Sequence, residues 1–569
     1  MNNTPIFEIH NIKNIKDLVD YSCEKFKDKD AFLVKKNKNY EGIKYSQLRS
    51  DINSLVNIFI NEFNLENKKI AIIGENSYEW ALSYLSTVYS NNIIVPIDKE
   101  LPLEEIQNIL LKSKINTVIY SNSQTKNIKR ISMNLTYIKH FINMEVDNNG
   151  EYFLSLKALL KKGNILANKN SLNIKIDNNK MCSLIFTSGT TDYTKGVMLS
   201  HSNIVSNIMS VCSVIYINEK DTCLSILPLH HAYECTCGFL LMLYRGVTIA
   251  FNESLKYISK NIQEIKPTLL ILVPLILENM YKKIWKSVSK KKSEYFKLKI
   301  AIFISDILFN IFKIDIRTKL FNRIHENIGG KIRLIISGAA AIDPIIMKGF
   351  KSFGFNVLQG YGLTECSPIV TVNRLNNSVN TSIGLLLPEV NAKIINPDAN
   401  GIGEISVKGP NIMLGYYENE ETNKEVFENN WLKTGDLGYV DKNDYYYITG
   451  RKKNVIVTKN GKNIFPEEIE TYLTRSVYIS ESMVKSVKNP KGEIIVEANI
   501  FPDLKTIKNK FKTSEISLED INRLISNEIK IINNKIPLYK RIRKFNIREK
   551  EFEKTTTKKI KRYIKDNQY

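Results

Sequence analysis

Leu184-Ile-Phe-Thr-Ser-Gly-Thr-Thr-Asp-Tyr-Thr-Lys-Gly-Val-Met-Leu-Ser-His201 begins as an apolar run and breaks into small hydroxyl residues around one Gly, then a Lys-Gly pair. The apolar start reads as a buried strand. The loop that follows can turn backbone N–H groups and hydroxyls toward one point and add a cation, which is what a polyphosphate requires. A loop of the G-x-x-x-x-G-K-[ST] kind puts Gly directly before its Lys and starts a helix at once. Here Gly196 and an apolar stretch follow Lys195 instead, and a helix is expected only after Ser200, a residue suited to cap it. A Gly/Thr-rich turn without a ligand is the competing reading, and this loop alone does not decide between them.

Outward from it, short apolar runs recur at Ile70 to Ile73, Ile93 to Val95, Val118 to Tyr120, Leu269 to Val273 and Leu334 to Ile336. Runs of this length between helix-like segments such as Glu75 to Ser90 predict a doubly wound, largely parallel α/β organisation over the first three hundred or so residues. After Gly384 the texture becomes turn-rich, as in Asn396-Pro-Asp-Ala-Asn-Gly-Ile-Gly-Glu404, and predicts a small β unit. Past Gly450 it changes again: Asn454 to Val457 and Glu493 to Ile500 read as strands, and Ser517 to Ile532 as a helix. A boundary near Thr449 is therefore expected, with a large domain over 1–449 and a small one over 450–569.

A second motif, Gln359-Gly-Tyr-Gly-Leu-Thr-Glu-Cys-Ser-Pro368, follows Leu334-Ile-Ile-Ser-Gly-Ala-Ala-Ala341. Gly-bearing turns after buried strands are where open α/β sheets bind nucleotides. Small residues at Gly338, Ala339 and Ala340 let a planar base lie on the backbone, and Tyr361 offers a stacking face. Thr364 and Glu365 place a hydroxyl beside a carboxylate, suited to an α-phosphate and a hard cation.

Together with Gly403-Glu-Ile405, Trp431-Leu-Lys-Thr-Gly-Asp-Leu-Gly438, Ile448-Thr-Gly-Arg-Lys-Lys-Asn454 and Lys554-Thr-Thr-Thr-Lys-Lys-Ile-Lys-Arg562, these motifs resemble the AMP-forming acyl-CoA synthetase family of adenylate-forming enzymes. Leu227-Pro-Leu-His-His-Ala-Tyr-Glu234 and the long insert before Gly329 look most like its long-chain fatty acid–CoA ligases. The resemblance implies the adenylate-forming fold: a large N-terminal domain with two α/β subdomains and a small β unit, and a small mobile α+β C-terminal domain. It also implies that ATP, with Mg2+, activates a fatty acid to acyl-AMP and pyrophosphate, and that CoA then takes the acyl group and releases AMP. An aryl acid, or a carrier-protein thiol as acceptor, is the alternative within the same chemistry.

The same resemblance assigns roles. Thr187, Ser188, Gly189, Thr190, Thr191 and Lys195 would hold the β- and γ-phosphates, with Thr187 and Glu365 as Mg2+ ligands. Gly338, Ala339, Ala340, Gln359, Gly360, Tyr361 and Thr364 would line the AMP site. Asp436 would accept from the ribose hydroxyls, and Arg451 would bond ribose or phosphate. Lys559 would be the adenylation lysine, acting with Thr364 and Glu365. Lys453 would be the hinge of a domain rotation that carries Gly461 and Lys462 toward the CoA tunnel, and His231 would shape the acyl pocket. This chain departs from the family pattern at Asp192 and Thr194, where Gly and Pro are usual, at Lys558, where Gly precedes the lysine, and at Leu385 and Glu389, where Pro and Gly are usual.

The 569 residues, 43% of them hydrophobic, are ample for large cores and exclude general disorder. Lys and Arg number 81 against 59 Asp and Glu, a net charge of +22, but they are spread among many Asn and Ile. The spread reads as compositional bias more than selection for a polyanion, so no nucleic-acid partner is expected. A basic binding protein that has lost catalysis is the reading from another class, motivated by that charge and the loop departures. Met1 to His10 has no signal-peptide pattern, the longest apolar runs fall short of a membrane span, and seven scattered cysteines suit a reducing cytoplasm. Cys235 and Cys237 read as core or pocket lining and not as a zinc pair. Two readings are open for the basic amphipathic segment Glu278 to His325: a solvated helical pair, or a peripheral rest on an anionic membrane surface. Oligomeric state is open.

Overall fold

In the computed structural model, the described residues are 3–562 except 38, 152, 168–173, 188–193, 289–291, 459–461, 491, 514 and 556–559. The expected apolar runs are strands: Lys69–Ile73, Ile93–Ile97, Thr117–Tyr120, Met181–Thr187, Leu269–Leu272 and Leu334–Ser337. The first four lie in an eight-stranded sheet ordered Gly415–Tyr416, Lys195–Ser200, Met181–Thr187, Ile93–Ile97, Lys69–Ile73, Thr117–Tyr120, His140–Asn143, Leu154–Ser155. The other two are neighbours in a nine-stranded sheet that runs from Leu385–Leu386 through Ile369–Val372, Val357–Gly362 and on to Asn39–Lys44. Strands covered on both faces must be apolar at every position, which is why they appear as continuous runs and not as alternation.

Both sheets are parallel in the middle and turn antiparallel at the two motifs. Met181–Thr187 pairs parallel to Ile93–Ile97 on one side and antiparallel to Lys195–Ser200 on the other. Val357–Gly362 pairs parallel to Leu334–Ser337 and antiparallel to Ile369–Val372. The helix expected after Ser200 is His201–Cys212, and Ser200 caps it by accepting from the Asn203 N–H while the Asn203 side chain returns the bond.

The described residues form two compact units: 3–187, 194–391 and 408–427 in one, and 392–407 with 428–562 in the other. The small β unit is present, but its strands belong to the second unit. Gly403–Lys408 pairs with Trp431–Val440, which pairs with Tyr446–Arg451. Residues 408–427 leave this sheet and add Gly415–Tyr416 to the edge of Lys195–Ser200. The boundary expected at Thr449 therefore falls inside a paired strand, and the unit holding the C-terminal residues reaches back to 392.

The rest of the second unit is a sheet of Ile479–Lys488, Ile494–Pro502 and Ile542–Ile547 packed on helices Pro466–Thr474 and Leu518–Asn533 through Ile469, Leu473, Leu524 and Ile525. Ser517 caps the second helix by accepting from the Asp520 N–H. The strand expected over Asn454 to Val457 shrinks to Ile456–Val457, because Lys452–Asn454 coils into a single 3-10 turn.

Candidate active site

At the ends of the antiparallel strands Met181–Thr187 and Lys195–Ser200, Thr187 and Lys195 are direct cross-strand partners. The Thr187 hydroxyl donates to the Lys195 carbonyl at 3.4 Å, and the Lys195 ammonium sits 5.0 Å from the centroid of the Tyr416 ring. Tyr416 in turn donates its O–H to Glu365 Oε1 at 2.7 Å. The segment 413–417 fastens this arrangement through its backbone, since the N–H groups of Leu414 and Tyr417 bond the carbonyls of Met198 and Gly196, and that of Met413 bonds the Glu365 carbonyl. Thr187 is thus tied to the Lys195 backbone, and Lys195 and Glu365 meet at one tyrosine that the sequence reading missed. Its only signal was Gly415, whose φ of +136° is glycine territory, followed by two tyrosines. Ser188, Gly189, Thr190, Thr191 and the departure Asp192 lie outside the described residues.

The second motif lies beside the first in chemistry and comes from the nine-stranded sheet. Ser337 and Gln359 are parallel cross-strand partners, so Gly338, Ala339 and Ala340 leave one strand next to Gln359, Gly360 and Tyr361 on its neighbour. Ala339 has φ +68°, a strained backbone for a residue with a Cβ. A Cβ at Gly338 would lie 2.7 Å from the Tyr233 ring, so glycine is required there. Gln359 and Tyr361 are buried. Thr364–Cys366 is a 3-10 turn, which leaves Thr364 and Glu365 half-buried at its start.

Behind these strands is a cavity of about 20 Å³ with a wholly apolar lining that includes Tyr233, Cys237, Met242, Ile336 and Gly360. Ile336 and Gly360 bring two strands of the nine-stranded sheet to this wall, and Tyr233 reaches it from the start of the helical segment that continues as Glu234–Leu240. His231, the expected acyl-pocket residue, has its ring centroid 4.2 Å from that of His230. Burial and the nearby Lys99 push the His230 imidazole down to about 3, so its 3.6 Å approach to Asp98 is no ion pair at neutral pH. Next to the cavity wall, Glu234 is fully buried with the Ser225 hydroxyl donating at 2.6 Å, and burial lifts its carboxyl to about 8. Cys235 and Cys237 are both buried on the π-helical segment Glu234–Leu240, where desolvation raises both thiols, that of Cys235 to about 12.

In the second unit, Asp436 and Arg451 are cross-strand partners joined by an ion pair of 2.8 Å, with Asp436 buried and Arg451 exposed. Lys453 is exposed on its 3-10 turn. Lys462 stands 4.7 Å from the centroid of Tyr539, and its N–H bonds the Thr458 hydroxyl. Gly461, Lys558 and Lys559 lie outside the described residues. Those flanking Lys559 are held: Lys554 pairs with Glu481 and Glu551, Lys561 N–H bonds the Glu553 carbonyl, and Arg562 pairs with Glu470, whose second contact is the Val484 N–H.

The donor set at Thr187 and Glu365 is hard oxygen. Among the described residues no cluster of three or more His, Cys, Asp or Glu could cage an ion. That fits Mg2+, which keeps waters, takes one or two carboxylates, and fills its shell with substrate phosphates.

This mixed α/β arrangement of large sheets is the fold of adenylate-forming enzymes. The solved structure of the anthranilate–CoA ligase AuaEII with anthranoyl-AMP is similar over 98% of this chain and 97% of its own, with a TM-score of 0.76 at 20% identity. The model of the AMP-binding enzyme family matches residues 19–417, and the chain belongs to that family. ATP with Mg2+, and CoA as co-substrate, are the small molecules of its chemistry. Among curated relatives, a long-chain-fatty-acid–CoA ligase ACSBG2 of Rattus norvegicus is 27% identical, covering 83% of this chain and 74% of that one. The chloroplastic long-chain-fatty-acid–[acyl-carrier-protein] ligase AEE15 of Arabidopsis thaliana is 26% identical with the same two coverages.

Proposed function

We propose that this protein is a long-chain fatty acid–CoA ligase. A carboxylate oxygen of the acid attacks the α-phosphorus of ATP, pyrophosphate leaves, and the CoA thiol then attacks the acyl carbon and expels AMP. The observation that carries this reading is the Lys195–Tyr416–Glu365 arrangement ahead of an apolar cavity. Relatives whose names state long-chain acids support the choice of substrate.

The first step brings two anions together, so the chain must supply positive charge and fixed dipoles where charge builds; one such group is worth about 3 kcal/mol. Lys195, held over an aromatic face, would meet the outer phosphates with the hydroxyls and N–H groups of 187–191. Thr187 and Glu365 would hold Mg2+, whose charge offsets that of the phosphates. Thr364 would bond the α-phosphate, and Gly338, Ala339, Ala340, Gln359, Gly360 and Tyr361 would hold the adenine. Asp436 would accept from the ribose hydroxyls while Arg451 bonds ribose or phosphate. Lys559 would meet the carboxylate and α-phosphate. We further propose that the functional domain boundary is at 449 and 450, that Lys453 is the hinge, and that rotation brings Gly461 and Lys462 to CoA.

A compact aryl acid is the second reading, supported by the likeness to the anthranilate–CoA ligase AuaEII. A cavity of about 20 Å³ has room for little more than a water, so for either acid its lining, Tyr233 and Met242 among it, would have to move, and His231 would shape its mouth. The test is a panel of aryl and long-chain acids scored for pyrophosphate release and product mass with CoA and with acyl-carrier protein. Acyl-CoA from long-chain acids is the expected product. Aryl-CoA alone would replace the substrate, a carrier-protein thioester alone would replace the acceptor, and no turnover would end the proposal.

A further inference from the structure

Helix Lys292–Asn310 is apolar on two opposite faces. At about 100° per residue, Leu298, Ala301, Ile302 and Ser305 share one side. Leu298, Ala301 and Ile302 pack on the core behind helices Pro274–Val288 and Pro344–Ser352, and Ser305 is buried. Phe296, Ile300, Phe303 and Ile304 lie on the other side, and Ile311 extends that stripe because its N–H still bonds the Ile307 carbonyl. These five are open to solvent: Phe296 is 62% exposed, Phe303 66% and Ile311 68%. A helix apolar all round is ordinarily buried on all sides, and an apolar stripe of this kind marks a surface that meets something.

The charges say what it meets. Lys297 and Lys299 stand on opposite flanks of the stripe, about 100° to either side of the buried face. Lys292 adds to them at the start of the same helix, and Lys282, Lys283 and Lys286 are exposed on the neighbouring Pro274–Val288, where Lys283 bonds the Ser259 hydroxyl; against them stand Glu278, Glu294 and Asp306. Of those acids, Asp306 accepts a bond of 2.9 Å from Ser352, and Glu278 is desolvated, which raises its carboxyl. Apolar rings between lysines whose stems can reach outward match the boundary of an anionic bilayer, where rings enter the acyl region and ammonium groups stay among headgroup phosphates. No helix among the described residues is long and apolar enough to cross a membrane, so the geometry is that of an element lying in the surface plane.

We propose that the outer face of Lys292–Asn310 docks this protein on an anionic lipid surface. This goes beyond the ligase reading and does not depend on it. The whole chain is sedimented with vesicles of phosphatidylcholine alone and of phosphatidylcholine with phosphatidylglycerol. It should bind the mixed vesicles, bind the neutral ones at least tenfold more weakly, and release as salt rises. Ile300→Ser/Phe303→Ser should weaken binding about tenfold or more. Lys297→Gln/Lys299→Gln should weaken it by a similar factor and flatten the salt dependence. Both variants touch exposed positions, so their circular dichroism and their acid-dependent pyrophosphate release without vesicles should match the parent. Failure of the parent to bind, or unchanged binding by both variants, overturns the proposal. So does a concentration-dependent dimer that Ile300→Ser/Phe303→Ser disrupts, because the stripe is then covered by a second copy.

Discussion

Glu365 and Asp436 are both candidate site carboxylates, one in each unit, and their own surroundings hold them differently. Among the described residues, Glu365 takes a neutral hydrogen bond from Tyr416, 51 positions later in the chain, with Lys195 kept to the face of that tyrosine. Asp436 is buried and paired directly with the Arg451 guanidinium across the hairpin. A neutral donor orients a carboxylate without cancelling its charge, which suits a metal ligand. A guanidinium partner lowers the net charge of the pair and suits hydroxyl recognition.

The strongest way to break this contrast is Glu365→Gln, which keeps the shape and the Tyr416 contact but removes the charge. Acid-dependent pyrophosphate release should fall about 100-fold or more, and higher Mg2+ should not restore it. Retained activity would show that the charge of Glu365 has no part. Next in size is Glu234→Gln, which tests a third carboxyl given only a hydroxyl partner and full burial. The folded protein keeps the Glu234 proton up to about 8, while an unfolded chain releases it near 4.5. The folded state therefore binds more protons across that window, and stability falls as pH rises through it. Tm of the Gln variant should fall less between those two pH values than that of the parent, and parallel profiles would contradict a protonated Glu234.

Tyr416→Phe should cost about tenfold in kcat/KM for ATP, the value of one hydrogen bond to a charged group, with folding intact because the ring remains. Arg451→Met should raise KM for ATP a few-fold and lower Tm measurably, since it leaves the buried Asp436 carboxylate without its cation. An unchanged Tm would show that the pair contributes nothing to the fold. The smallest effect concerns backbone alone. Glu389 has φ +65° at a position where the resembled family has Gly, and it is exposed. Glu389→Gly should stabilise the fold by about 1 kcal/mol in denaturant unfolding.

Much of the fold was legible because its signals are local. Continuous apolar runs marked the parallel strands, and Ser200 and Ser517 marked helix starts by the bonds their hydroxyls make three residues on. The site was legible to the extent that its motifs are contiguous: Thr187 to Lys195, Gly338 to Ala340, and Gln359 to Glu365. Tyr416 was not, because it reaches Glu365 only after 408–427 crosses to the edge of Lys195–Ser200. Helix Lys292–Asn310 shows a similar limit: its sequence displays apolar residues on every side, and only packing reveals which are covered.

By itself, then, the sequence determined the elements, their caps and the order of the chemical motifs, since each depends on neighbours within a few residues. Tertiary structure alone decided which carboxylate meets a neutral donor and which a cation, which side of an apolar helix stays wet, and which carboxyl keeps its proton. Those properties depend on distance and on water removed by residues far away in the chain, and neither quantity is written in local spacing.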